Sequence, residues 1–333
     1  MEWLPEISVV ITCFNEEDNI ADCLASLVAQ SYPAEKYEII VVDGNSTDTT
    51  IMVIESIVRQ QENITLLIEP KKGTAAGRNT GIRAARFDHV AFIDADCEAP
   101  PEWLEVLAVN YLKQKQLDPA IIAVGGKNIP PVGADLFLRA IGLSLDSYMG
   151  SFNSAQGRQF VENRPVDSLA TLNVLYEKAI LEKIGCFDET LASEAEDADL
   201  NFRLKQAGYG MFFISQSYVW HKMRPTPASW LRNMFRYGKG RARLLKRYPA
   251  MWRPAFVMPL LFAGAMGALL LAPLSQTALA GLGYFPLLLV FSLGQCLRKR
   301  EPLLFLHVAF VYLIQHFGYA AGEVYGLMNP AVR

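Results

Sequence analysis

Two groups of acidic side chains in this sequence are spaced for chemistry rather than for solvation alone. Asp94-Ala-Asp96 closes an apolar run and is followed by Cys97-Glu-Ala-Pro-Pro, which leads into a helix near Glu102. Residues two apart on an extended segment project to the same side, so both carboxylates can offer hard oxygen ligands to one Mg2+ or Mn2+. Taken alone, the pair serves equally well as a turn or capping device. The second group is Ser193-Glu-Ala-Glu-Asp-Ala-Asp, with acids at 194, 196, 197 and 199. It precedes Leu200 and Leu204, whose spacing marks a helix ending at Gly208. Acids in a first turn favour the helix dipole, but four are more than capping needs. A carboxylate at a helix start can take the proton from an attacking hydroxyl. Asp197 is the candidate base, with Glu196 and Asp199 as orienting neighbours.

The elements that must position these groups are legible from periodicity. Ile7 to Thr12 is a compact β-branched run, followed by Asn15-Glu-Glu-Asp and an apolar-periodic helix through Gln30. Glu38 to Val42 is a second strand, Asp43-Gly-Asn-Ser-Thr-Asp a capped turn, and Thr49 to Gln60 a second helix. Ile64 to Ile68, Gly73 to Arg86 and His89 to Ile93 continue as strand, helix, strand. Alternation of this kind predicts an α/β fold with a parallel, doubly wound sheet and right-handed crossovers. Ligands in such sheets sit beyond the carboxyl ends of the strands. Asn15 to Glu17, Asp43 to Asp48 and Asp94 to Asp96 all fall there. No G-x-G-x-x-G follows the first strand and there is no P-loop, which disfavours a dinucleotide dehydrogenase.

The chain has 333 residues, 51% of them hydrophobic, and a formal charge of −3. The average hides a separation. Ten of the 31 bases lie between Lys222 and Arg253 without an acid, leaving 21 bases against 34 acids elsewhere. From Ala255 to Leu297, and again from Pro302 to Gly322, there is no Asp, Glu, Lys or Arg. About 20 apolar residues cross a hydrocarbon core. Three spans are therefore expected, at about Phe256 to Ala272, Thr277 to Leu297 and Leu303 to Gly322, with a break near Pro273 to Gln276. Basic residues flank spans on the cytoplasmic side. The Lys222 to Arg253 stretch and Arg298-Lys299-Arg300 agree in placing residues 1 to 253 in the cytoplasm and the tail after Gly322 outside. A basic stretch joined to membrane segments speaks for a membrane partner and no nucleic acid. The five cysteines, at 13, 23, 97, 186 and 296, show no metal or framework spacing and read as reduced thiols. The few residues before the first strand leave no room for a signal peptide. Gly133 to Gly150 is amphipathic, either an interfacial element or a core helix. Gly150 to Arg164 reads as a mobile loop closing over substrate.

In order, the strand before Asn15-Glu-Glu, Val42-Asp43-Gly with Ser46-Thr47-Asp48, Arg78-Asn79-Thr80-Gly81, Asp94-Ala-Asp96 and Glu196-Asp197-x-Asp199 resemble the family 2 glycosyltransferases of GT-A fold. The resemblance runs from about Ile7 to His221. The C-terminal apolar segments look like those of membrane-anchored exopolysaccharide glucosyltransferases of succinoglycan type. The resemblance implies a Rossmann-like, mostly parallel GT-A domain over residues 1–225. A basic juxtamembrane segment (226–254) and about three transmembrane helices (255–327) would follow. It implies that Thr12, Asn15, Glu16 and Asp43 line the base and ribose pocket of a nucleotide diphosphate sugar. Asp94 would lie near the ribose or the metal, and Asp96 would bind Mn2+ or Mg2+ directly. Lys72 and Arg78 would either meet the diphosphate or stand as solvated surface charges. Asp197 would be the base of an inverting displacement. His221 is either a further metal ligand or a structural histidine. Arg236-Tyr237 resembles the Q-x-x-R-W element of processive synthases, but Gln and Trp are both missing, which weakens processivity. The implied activity is transfer of a hexose, from a UDP-glucose-like donor, to a lipid-linked (polyprenyl) acceptor at the plasma membrane in surface polysaccharide assembly. The alternatives are a polyprenyl-phosphate hexose synthase and a silent nucleotide-sugar-binding scaffold.

Overall fold

A computed structural model describes residues 4–151, 157–224, 226–271, 276 and 281–329. In chain order the first elements are β1 (Ile7–Cys13), α1 (Ile20–Val28), β2 (Tyr37–Asp43), α2 (Thr50–Val58), β3 (Ile64–Ile68), α3 (Thr74–Ala84) and β4 (His89–Asp94). Then come β5 (Cys97–Glu98), α4 (Trp103–Leu117), β6 (Ile121–Ile129), α5 (Leu136–Leu145), α6 (Tyr148–Ser151), β7 (Arg164–Val166), β8 (Val174–Glu177) and α7 (Lys178–Lys183). The chain continues as α8 (Glu196–Gln206), β9 (Gly210–His221), α9 (Pro227–Arg247), α10 (Met258–Leu271), α11 (Tyr284–Arg298) and α12 (Phe305–Met328). They fall into two units: Met1–Pro131 with Gln159–Lys222, and Val132–Arg158 with Met223–Arg333.

The first unit holds a nine-stranded sheet of order β3-β2-β1-β4-β8-β6-β9-β5, with β7 on β9. β2 is buried at all seven positions and β1 at all but Thr12. Such continuous apolar strands need cover on both faces. Ile20, Cys23, Leu24 and Leu27 of α1 supply one cover. On the other face α3 approaches so closely that a Cβ on Gly77 would lie 2.9 Å from Thr12 Cγ2, and one on Gly81 2.3 Å from Val10 Cγ1.

The sheet is mixed rather than mostly parallel, which corrects the expectation. Pairs β1–β2, β1–β4, β2–β3 and β6–β9 are parallel. Pairs β4–β8, β5–β9, β6–β8 and β7–β9 are antiparallel. The alternation of strand and helix ends at β4. β8, only four residues long, then enters between β4 and β6 running the other way, too short to announce itself by periodicity. Glycines admit it. A Cβ on Gly125 of β6 would lie 2.5 Å from the Asn173 carbonyl oxygen, and one on Gly126 2.1 Å from that of Ser217 in β9.

The second unit is helical. Ala140, Ile141, Trp230, Met234, Leu288, Cys296, Val308 and Tyr312 form its core. Gly133 to Gly150 contributes the half-buried α5, capped by Asp135 through Leu138 N at 2.8 Å. Residues Pro302–Met328 are, among the described residues, the one helix long and apolar enough to cross a membrane. The helices in the first two expected spans, α10 and α11, have 14 and 15 residues. Pro273 to Ser275 and Thr277 to Ala280 lie outside the described residues, as do residues 152–156 of the expected closing loop. Lys246 Nζ donates to the carbonyl oxygens of Gly326 (2.9 Å) and Asn329 (2.6 Å). The basic stretch and the tail, expected on opposite faces of a core about 30 Å thick, are in contact.

Candidate active site

Register gathers the polar clusters at one edge of the sheet. Thr12 at the end of β1 pairs with Val42 on one side and Asp94 on the other, and Cys13 pairs with Asp43. This is the point where strand order reverses, the place such sheets reserve for ligands. Asn15, at φ 55°, stitches the two loops together. Its N–H donates to Ser46 Oγ at 2.8 Å, and its Oδ1 accepts from Thr47 N at 2.8 Å. Glu16 N donates to Thr50 Oγ1 at 2.8 Å. Asp43 is fully buried, and its two oxygens close the turn by accepting from Ser46 N (2.7 Å) and Ser46 Oγ (2.6 Å). Thr12, Asn15, Glu16 and Asp43 are thus brought together. Phe14, unremarked in the sequence, stands beside Gly44 with more than half its surface open, an aromatic face suited to stacking on a base.

The two acidic groups meet through one guanidinium. Arg78 Nη2 donates to Asp94 Oδ1 at 3.1 Å and Nη1 to Glu196 Oε1 at 2.8 Å. Its side chain is 6% exposed, so the pairing is shielded from water. Arg78, expected as a diphosphate contact, spans the carboxylates that open α8 and close β4. Asn79 donates to the Phe187 carbonyl and to Glu189, both at 2.9 Å, and accepts from Phe187 N. Ala75 N donates to Ala192 O at 3.0 Å and Thr74 N to Ser193 Oγ at 3.0 Å. These bonds hold the turn before α8, where Ala192 and Ala195 adopt φ 54° and 66°. Such left-handed alanines persist only where surroundings over-determine them.

Burial and the Asp197 charge push the Glu196 carboxyl up to about 7, against the pull of Arg78. Asp197 is half-buried, and its Oδ1 accepts from Ala198 N at 2.7 Å. Asp199 is fully buried and bound by Arg203 Nε at 2.7 Å. Arg203 in turn donates to the carbonyls of Ile184 and Cys186, so this carboxylate serves the loop before α8.

β9 delivers the histidine. His221 pairs with Cys97, and its Nε2 lies 3.4 Å from Asp96 Oδ2. Asp96, Cys97 and His221 present ligand atoms within 4.8 Å of one another. An oxygen and an imidazole nitrogen 3.4 Å apart suit neighbouring positions on one divalent ion with bonds of about 2.1 Å. Burial and the charges of Asp96 and Asp94 hold the Cys97 thiol well above its usual range, and hard divalent ions such as Mg2+ and Mn2+ favour the oxygen and nitrogen donors. Lys222, which the sequence marked only as one of a basic run, ties this strand end to Asp22 (2.6 Å) and Glu98 (3.3 Å). Lys72 is exposed, and Arg236 is exposed on α9 in the second unit.

Residues 8–185 match the model of glycosyl transferase family 2. The chain belongs to that family. Among its relatives, glycosyltransferase AglE of Haloferax volcanii is 30% identical over 72% of this chain and 74% of its own length. The succinoglycan biosynthesis protein ExoA of Rhizobium meliloti is 26% identical over 94% and 92%. A dolichyl N-acetyl-α-D-glucosaminyl phosphate 3-β-D-2,3-diacetamido-2,3-dideoxy-β-D-glucuronosyltransferase of Methanococcus voltae is 24% identical over 89% of each chain. A mannosyltransferase from Pyrobaculum calidifontis, solved with GDP-Man and Mn2+, shares the fold, with TM-score 0.58 and 20% identity over 94% of this chain and 88% of its own. The family 2 motifs thus sit on the GT-A framework expected of them. Each residue of Arg78-Asn79-Thr80-Gly81 has a task there. Arg78 binds acids, Asn79 the loop, Thr80 Glu69 (2.5 Å), and Gly81 makes room for the Val10 side chain of β1.

Proposed function

We propose that this glycosyltransferase moves a hexose, with inversion, from a nucleotide diphosphate sugar to a lipid-linked acceptor in surface polysaccharide assembly. The donor would be UDP-glucose-like and the acceptor polyprenyl-borne. The carrying observation is the Arg78 bridge. One buried guanidinium ties the neighbour of Asp96 to the neighbour of Asp197, as a shared metal and sugar site requires. In this reading the acceptor oxygen attacks the anomeric carbon while its proton passes to an Asp197 oxygen. The bond from that carbon to the phosphate oxygen breaks, and the electron pair leaves with the nucleoside diphosphate. Asp96 and His221, with Asp94 alongside, would hold Mn2+ or Mg2+, whose chemistry is to neutralise charge on the departing diphosphate. Lys72 adds a further cation there. Thr12, Asn15, Glu16 and Asp43 shape the nucleotide pocket. Glu196, held near neutrality, leaves the charge to Asp197, and Arg78 positions both helix and strand.

The acceptor class is supported by the names of the R. meliloti and M. voltae relatives, one a succinoglycan protein and one acting on a dolichyl-linked sugar. The uncharged C-terminal runs and the basic residues that flank them support a membrane enzyme whose first unit faces the cytoplasm. A donor screen with purified protein, Mn2+ and a lipid-linked acceptor pool, read as release of nucleoside diphosphate, tests the reading. Asp197→Asn should lower turnover by about 10²–10⁴ while UDP binding by calorimetry is kept. Full activity in that variant would sink the base assignment.

A further inference from the structure

The C-terminal half of the helix long enough to cross a bilayer lies against a helix that is not apolar. Gly318, Gly322 and Gly326 of α12 face α9, where an added Cβ would lie 2.9 Å from Leu231 O, 2.0 Å from Phe235 O and 2.9 Å from Lys239 O. A Cβ on Gly238 of α9 would lie 2.0 Å from Tyr319 O. The matched numbers climb together in steps of four, so the helices run parallel and in backbone contact. Lys246 closes the seam on Gly326 and Asn329. Earlier on α12, Tyr312 Oη donates to Ser147 Oγ (2.7 Å), Gln315 Nε2 to Ser144 Oγ (2.9 Å), and His316 Nε2 lies 2.9 Å from Met149 O.

α9 carries seven Lys or Arg and no acid over its 21 residues. A helix so charged does not enter hydrocarbon, and α12 is bound to it. Four residues, Met223 to Thr226, join the first unit to α9. At about 3.5 Å each they reach at most about 14 Å, short of a core about 30 Å thick. The helices α10 and α11 form the other apolar part. Residue 281 packs on Ala265 and Leu269, and the Tyr284 ring lies 4.9 Å from that of Phe262, the reversed order of a hairpin. Leu261, Leu270, Leu287 and Val290 on it are more than half exposed.

We infer that α12 is not a span: α9 and α12 seat together in the plane of one anionic leaflet, and only the α10–α11 hairpin enters the bilayer. Asn329 then lies on the same side as the catalytic unit. The inference rests on the membrane-anchored reading above.

Cysteine accessibility tests it in the full chain carrying Cys186→Ser, the other four native cysteines being buried. Met328→Cys, at a site 80% exposed, is compared with Glu62→Cys on the first unit. A cysteine fused after Arg333 serves as a second reporter of the chain end. With a membrane-impermeant maleimide, all three should resist labelling in right-side-out spheroplasts and react in inverted vesicles. Labelling of the chain end in spheroplasts while Glu62→Cys stays unlabelled would overturn the inference. Labelling of all three in spheroplasts would support it and reverse only the cytoplasmic assignment. Extraction of the chain by carbonate would remove the anchored reading and the inference together.

Discussion

At the scale of single residues, the site depends on buried charges that satisfy one another. Arg78 lies between Asp94 and Glu196, with its guanidinium 5.4 Å from the Phe187 ring centre. A lysine offers one point of charge where two separated acceptors must be reached. Arg78→Lys should therefore cost on the order of 3 kcal/mol, seen as a shift in the urea midpoint, and should depress turnover as α8 loses its tie to β4. Glu196 adds a pH signature. Its folded pKa of about 7 exceeds the ordinary value of 4.5. The folded state therefore holds a proton that the unfolded chain releases, so this contribution to stability is full below about 4.5 and is lost as pH rises through about 7. Between pH 5 and 7.5 the Tm of wild type should fall relative to that of Glu196→Gln. A constant difference would mean that Glu196 titrates like an exposed carboxylate. At the metal pair, Asp96→Ala should leave the far-ultraviolet dichroism unchanged and abolish the Mn2+ dependence of UDP binding. Retained dependence would remove Asp96 from the ligand set.

At the scale of elements, β6 meets its neighbour β9 through a glycine. Gly126→Ala places a methyl 2.1 Å from the Ser217 carbonyl oxygen, which belongs to a strand and has nowhere to go. Overpacking of this kind costs about 1–3 kcal/mol, and the urea midpoint should fall accordingly, with metal affinity falling too because the same strand carries His221. The strands that sequence reading recovers are those with their own signal. β1, β2 and β4 are continuous apolar runs, and each hands a polar cluster to the loop that follows it. β8 has four residues and no such pattern, and its direction is set by what it slots between. Asp94 and Asp96 were legible because the spacing of two is local. The partnership of Arg78 with Glu196 spans 118 positions, and no local rule announces it. α12 shows how composition alone leaves an apolar helix open to two readings. Small residues at every fourth position let backbones touch, and the composition that permits this is also the composition of a span.

At the scale of the whole molecule, charge and apolar surface are divided between a globular catalytic unit and a helical unit rich in bases. If both enzyme and acceptor are confined to one leaflet, their encounter is governed by surface density rather than by bulk concentration. Confinement of this kind corresponds to effective concentrations in the millimolar range. Transfer to a lipid-linked acceptor should then outpace transfer to the same sugar on a short water-soluble handle by about 10²–10⁴ in kcat/KM at micromolar acceptor. The advantage should also be dilutable. Added detergent micelles spread the lipid acceptor over more surface, so its rate should fall in inverse proportion to total detergent, while the rate with the soluble acceptor stays constant. Equal dilution curves for the two acceptors would mean that the helical unit anchors the enzyme without bringing it to its substrate.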